Sequence, residues 1–406
     1  MSGNRGGRAL TTHFDLEFDR RQTSSTKWAP HRNLAADEAA ADPLPMWVAD
    51  MDFRAPPPVI EALEKAVRDG IFGYTFRTDS YEEAVCGWQK KRFGWDAQPQ
   101  WLVQIPSVVT GLTLILKTFS NPGDGVLVQP PVYGRFFIDV VENGRHIVEA
   151  PLQLDESSGS YSFNADAFEA AITPKTRIFF LCNPHNPTGN IWSEADLRRM
   201  GEICLRHNIL VVADEIHQDL VFNPRRKHIP FASLGDVFAE NSIVCTAPSK
   251  TFNLAGLKCS NMFIVNERRR KDVQNALARG GMSFVNALGA VACEAAYRDG
   301  EPWLDGLLDY IRESQRHFAA AVHQAIPALR VFKTDALYLA WMDCRGLDMP
   351  APELEKFMLT KARVWFDRGL KFGRQGEGFM RVNLGCPRSR VDEAVERMKA
   401  AFASGE

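Results

Sequence analysis

Two lysines, Lys250 and Lys258, stand eight residues apart in APSKTFNLAGLK (residues 247–258), a stretch with few other charges. An amine can condense with a carbonyl carbon or pair with an anion, so the spacing fits either two solvated loop residues or one ligand gripped at two points. The decision rests on which other groups reach the same place. Three short apolar runs lead into side chains of different chemistry: RIFFLC (177–182) into NPHNPTG, ILVVA (209–213) into DEIHQD, and SIVCT (242–246) into APSK. Ligands of open α/β sheets bind beyond the carboxyl ends of the strands, so Asn186, Asp214 and Lys250 are expected at one sheet edge.

The elements that must hold them there follow from the patterning. GVLVQ (125–129) is a fourth apolar run, and helical stretches such as SEADLRRMGEICLRHN separate the runs, as in parallel strands covered on both faces. Ahead of them PPPVIEALEKAVRDG and SYEEAVCGWQKKRFG read as helices, the first opened by prolines and closed by Gly70. From residue 282 to about 326 the chain reads as helical, then as mixed, with LYLAWMD as a strand and RSRVDEAVERMKAAF as a closing helix. This predicts an N-terminal arm with part of a small domain (1–55), a large α/β domain (56–290) and a smaller α+β domain (291–406). Residues 1–45, polar and irregular, read as an arm on the surface or on a partner subunit.

Composition narrows the partners. With 48 basic and 50 acidic residues and a net charge of -2, the chain offers no basic stripe for nucleic acid or anionic lipid, which leaves small molecules or protein. Its eight cysteines form no CxxC pair and several lie in apolar runs, the pattern of buried, reduced thiols in a cytoplasmic protein. No histidine pattern suggests a metal site, the N-terminus shows no export signal, and no apolar run reaches the ~18 residues of a membrane span.

An amine, a carboxylate and an amide donor are what pyridoxal phosphate needs. The amine forms a Schiff base with the aldehyde, the carboxylate keeps the pyridine nitrogen protonated so that the ring accepts electrons, and the amide bonds the ring oxygen. The phosphate needs its own clamp. PSVVTGLTLILKTF (106–119) offers one if the backbone amides of Val109 and Thr110 open a helix, since helix N-termini attract anions. Lys258 then adds charge at the phosphate while Lys250 serves the aldehyde.

Seven stretches in order, PMWVADMDF (45–53), FGYT (72–75), QPPVYGRFF (129–137), NPHNPTG (183–189), DEIHQDL (214–220), SKTFNLAGLK (249–258) and FMRVNLGCPRSR (379–390), resemble the fold-type-I pyridoxal phosphate enzymes. More narrowly they resemble the cystathionine β-lyase branch of the class I/II aminotransferases, a likeness that runs from about residue 42 to the end. The resemblance implies a large domain with a mostly parallel seven-stranded sheet flanked by helices. It implies Lys250 as the Schiff-base lysine, Asp214 at the ring nitrogen, Asn186 at the ring oxygen and Tyr133 stacked on the ring. Arg381 is implied to take the substrate α-carboxylate as a bidentate pair, and Tyr74 to reach the phosphate of the neighbouring subunit in a homodimer. His217 stands where many relatives carry a tyrosine on the ring oxygen, Lys258 where many carry arginine, and Ala247 where a phosphate-binding serine often occurs, with Ser249 as a further candidate.

The implied reaction is β-elimination from L-cystathionine or a related cysteine S-conjugate, giving a thiol, pyruvate and ammonia. An aminotransferase, or a regulator that keeps the cofactor for structure, would share the same core motifs. Singly, each residue also has a plain reading: Asp214 as a helix cap, NPHNPTG as a turn, Arg381 paired with a surface acid, the tyrosines as packing. Those readings leave unexplained why every residue falls in the family order. His185 and the tryptophans at 88, 95, 101 and 303 are assigned to structure and packing.

Overall fold

The computed structural model describes residues 13–403. Its central sheet has, in chain order, β1 (Leu102–Ile105), β2 (Gly125–Val128), β3 (His146–Glu149), β4 (Thr176–Cys182), β5 (Leu210–Asp214), β6 (Ser242–Thr246) and β7 (Ser260–Phe263), laid side by side as β1-β7-β6-β5-β4-β2-β3. Strands β3, β2, β4, β5 and β6 are mutually parallel, and β7 is antiparallel to both of its neighbours. Every position of β2, β5 and β6 is buried, which is why these strands read as unbroken apolar runs. The register sets Asp214 level with Cys182 on one side and Cys245 on the other, so the chain leaves all three central strands at one edge.

Helix α1 (Pro57–Asp69) opens on proline and closes on Gly70 at φ 71°, a left-handed cap that glycine adopts without steric strain. Helix α2 (Asp79–Phe93) starts at Thr78, whose side chain accepts from the Tyr81 amide. Helix α3 (Val108–Phe119) follows β1, and α4 (Glu194–Arg206) begins in a capping box between Ser193 and Asp196.

The expected boundary at residue 290 falls inside α5 (Ala287–Asp299), which packs against α1 and α2. The changeover comes later, along α6 (Glu301–Ala325): Leu304, Leu307 and Ile311 join the core under the large sheet, whereas Phe318 and Val322 join a second core. Helical periodicity shows that a face is buried, not which core it covers. The second core lies under β8 (Arg330–Val331), β9 (Leu339–Asp343), β10 (Asp367–Arg368) and β11 (Phe379–Asn383), in the order β8-β9-β11-β10, with α7 (Arg388–Ala403) packed against α6.

Residues 13–45 do more than lie on a surface. Phe14 is fully buried against Phe53, Trp303 and Tyr310, Trp28 enters the second core, and Leu44–Pro45 pairs in parallel with Val364–Trp365. Single apolar residues among polar ones have no period, so the sequence does not mark them. The part of the arm at residues 1–12 lies outside the described residues. All eight cysteines are buried and unpaired, and no helix among the described residues is long and apolar enough to cross a membrane.

Candidate active site

A cavity of about 990 Å³ opens where β4, β5 and β6 end, and Asn186, Asp214 and Lys250 all line it. Val109, Thr110, Tyr133 and His217 line it as well, as do Ser249, Lys258 and Arg381. Tyr74 does not: it is 90% exposed and lies against Phe284, with 5.1 Å between ring centroids.

Lys250 sits in the short helix Pro248–Thr251, and its Nζ donates to the Ala49 carbonyl at 2.7 Å. Burial, followed by the nearby Arg381 guanidinium, pulls its pKa down to about 8, against the opposing pull of Asp50 and Asp214. Ala49 belongs to the PMWVADMDF segment, and that segment is tied down along its length. Asn383 Nδ2 donates to the Val48 and Asp50 carbonyls (2.6 and 2.9 Å), Asn253 Nδ2 to those of Met51 and Phe53 (2.9 and 2.8 Å), and the fully buried Lys27 pairs with Asp52 at 2.7 Å.

Asp214 accepts the Ile216 amide on Oδ1 at 3.2 Å, while Oδ2 has no hydrogen-bond partner among the described residues. Burial lifts its pKa to about 7, with the Ile216 amide and Lys250 opposing. His217 is pushed well below the usual imidazole range by burial and by the charges of Lys250 and Arg381, so its ring is neutral; its Nδ1 is buried without a partner. Asn186 Oδ1 accepts from Arg381 Nη1 at 3.1 Å, which leaves its Nδ2 without an acceptor among the described residues.

Arg381 Nη2 donates to Asp367 Oδ2 at 2.7 Å and to the Trp47 carbonyl at 2.9 Å. Lys371 shares the same carboxylate at 2.5 Å, so two cations meet one anion and one positive charge is left for a further anion. At the other end of the cavity Ser107 caps α3, and its Oγ accepts the Thr110 amide at 3.1 Å. Of the two amides expected at the phosphate, that of Thr110 is taken by the cap here, whereas the Val109 amide has no acceptor among the described residues. Lys258 holds a left-handed φ of 52°, with an exposed side chain that makes no ion pair among the described residues. Tyr133 is half-buried and meets Phe136 in a T-shaped contact with ring centroids 5.7 Å apart, and Ser249 is half-buried. His185 is structural, with Nε2 2.8 Å from the Pro131 carbonyl oxygen.

Asp367, Asn383, Asn253, Lys27 and Ser107 escaped the sequence reading. The available signals were slight: Asp367 and Asn383 are polar residues closing the short strand-like stretches VWF and FMRV, where burial needs a bonding reason, and Ser107 stands three residues before a threonine at a helix start.

The family model for aminotransferase class I and II matches residues 44–398. Cystathionine beta-lyase PatB of Bacillus subtilis is 43% identical over 392 residues, covering 96% of this chain and 100% of the relative. Among solved structures, cystalysin from Treponema denticola, which contains a pyridoxal 5'-phosphate cofactor, aligns with a TM-score of 0.90 at 33% identity, covering 97% of this chain and 99% of that one. The PLP-bound C-S lyase from Staphylococcus hominis aligns with a TM-score of 0.87 at 30% identity, covering 96% and 97%. With the matched span running from the first strand pairing of the small domain into its closing helix, the chain has the fold-type-I architecture and belongs to the aminotransferase class I and II family.

Proposed function

We propose that the protein is a pyridoxal-phosphate-dependent carbon–sulfur β-lyase that cleaves L-cystathionine or a related cysteine S-conjugate to a thiol, pyruvate and ammonia. The observation that carries this reading is Lys250, an amine held in the cavity between Ala49 and Arg381 with its pKa near 8. The unpartnered groups around it fit the cofactor: Asp214 Oδ2 for a pyridinium N–H, Asn186 Nδ2 for the ring oxygen, and Lys258 with the Val109 amide for the phosphate. His217, neutral and facing the same cavity, borders the ring, and Tyr133 is the aromatic ring lining the cavity for stacking. The name of the Bacillus subtilis relative supports the reaction class.

When bound, pyridoxal phosphate supplies an aldehyde for the substrate amine and a ring that draws electrons from Cα. Arg381 binds the substrate carboxylate through the one positive charge that Asp367 leaves unmatched. Lys250, neutral once its proton is lost, takes the proton from Cα. The sulfur then leaves Cβ with the bonding pair and is protonated to a thiol. The remaining aminoacrylate hydrolyses to pyruvate and ammonia.

Purified protein given L-cystathionine, cofactor and no keto acid is expected to release pyruvate and homocysteine in equal amounts. A strict requirement for a keto-acid acceptor would assign the site to transamination, and turnover of no β-substituted amino acid would assign the protein to cofactor-dependent regulation.

A homodimer completes the reading. Between α1 and α2 the irregular segment 71–76 exposes Ile71 (89%), Tyr74 (90%) and Phe76 (74%), an apolar strip that suits a second copy. If Tyr74 serves the neighbouring subunit, Tyr74→Ala and Lys250→Ala proteins, each impaired, should recover about a quarter of wild-type activity when unfolded and refolded together, since mixed dimers hold one intact site. No recovery in dimers shown to be mixed would return Tyr74 to its own subunit. The buried, unpaired cysteines are in keeping with a cytoplasmic location.

A further inference from the structure

The rim of the cavity is made by Gly134, Arg135, Phe137 and Ile138, by Glu149 at the end of β3, and by residues 370–374. The two walls are locked together. The Val132 amide donates to the Phe372 carbonyl at 2.9 Å, and a Cβ on Gly134 would lie 2.2 Å from the Lys371 carbonyl oxygen, so only glycine allows the approach. Gly373, at φ 109°, holds the turn that a side chain would strain.

Two charges on this rim lack a counter-charge among the described residues. Arg374 meets no carboxylate, and Glu149 meets no cation; its Oε2 accepts only from Gln375 Nε2 at 3.2 Å. Gln375 follows Arg374 in the chain, and Glu149 and Arg374 line the same cavity without an ion pair between them. The other rim cations are already matched, Arg135 by Asp139 at 2.6 Å and Lys371 by Asp367 at 2.5 Å. Apolar Phe137, Ile138 and Leu370 line the rim between them. One amino-acid carboxylate is taken inside the cavity, at Arg381. An acid and a base left open at its mouth form a receptor for a second ammonium and a second carboxylate.

We propose that Glu149 and Arg374 bind the ammonium and carboxylate of the half of the substrate that departs as the thiol. This assigns as preferred substrates the thioethers and disulfides that join two α-amino acids, over cysteine S-conjugates with plain alkyl groups, and it rests on the lyase reading above.

The test compares L-cystathionine with S-ethyl-L-cysteine, which has no second head group, in wild-type, Glu149→Gln and Arg374→Gln holoenzymes. Each substitution should lower kcat/KM for L-cystathionine by ~10- to 100-fold, mainly through KM, and change that for S-ethyl-L-cysteine by less than about twofold. Unchanged values for both substrates, or equal losses on both, would overturn the subsite. If wild type releases pyruvate from neither substrate, the lyase reading fails on its own. Calorimetric binding of L-cystathionine to the Lys250→Ala background then decides the subsite, which requires each rim substitution to weaken binding by about tenfold or more.

Discussion

Lys250→Ala is expected to lower the rate of pyruvate release from L-cystathionine by at least ~10³-fold, because it removes both the point of covalent attachment and the base for the Cα proton. No other lysine of the cavity can take its place: Lys258 sits with exposed side chain near the N-terminus of α3, and Lys371 is held by Asp367. Borohydride reduction followed by peptide mapping gives a second readout, with the cofactor mass on the peptide carrying Lys250 in wild type and on no peptide in the variant. Cofactor fixed on Lys258, or turnover within tenfold of wild type, would sink the assignment. The depressed pKa adds a pH signature. An amine at about 8 is ~10% neutral at pH 7, against ~0.03% for an ordinary lysine. Cofactor capture by the cofactor-free protein should therefore accelerate as pH rises through about 8 and level off above it, rather than climbing to beyond 10.

How much of this could be read from the chain depends on which physical signal each part leaves. β2, β4, β5 and β6 are parallel strands buried on both faces, so they stand out as apolar runs, and the three side chains that matter most follow three of those runs directly. β1, β3 and β7 leave no such run. Gln104 interrupts β1, His146–Glu149 is only half-buried, and β7 carries Ser260 and Asn261 in its fully buried course. Asn261 is tolerated there because the Tyr81 hydroxyl, reaching across from α2, donates to its Oδ1 at 2.8 Å, a partner 180 residues away that no local pattern reveals. The same limit explains the site residues that were overlooked. Lys250, Asp214 and Asn186 act through their position at strand ends, which is local. Asp367, Asn383 and Lys27 act by bonding to other segments, Asp367 to Arg381 on the neighbouring strand, Lys27 to Asp52 and Asn383 to the Val48 carbonyl 335 residues away, and only the folded arrangement shows what they hold.

That division between local chemistry and distant support sets up the second large effect, at Asp214. Asp214→Asn keeps the shape and the contact with the Ile216 amide but removes the charge that would hold a pyridinium proton, and turnover should fall by ~10²- to 10³-fold. Stability of the cofactor-free protein should move the other way. The folded pKa of about 7 lies above the unfolded value of 3.8, so the folded state keeps the proton that the unfolded state has already released. Wild type therefore loses stability as pH rises from about 4 to about 7, on the order of a few kcal/mol, and carries the whole penalty above that window. The variant has nothing to titrate, so its melting temperature should match wild type near pH 4, exceed it progressively up to pH 7, and keep a constant lead beyond. Added cofactor reverses the ranking, since only the carboxylate gains an N–H partner, and the cofactor-induced rise in melting temperature should be larger in wild type. An equal rise in both proteins, together with undiminished turnover in the variant, would mean that Asp214 does not face the ring nitrogen.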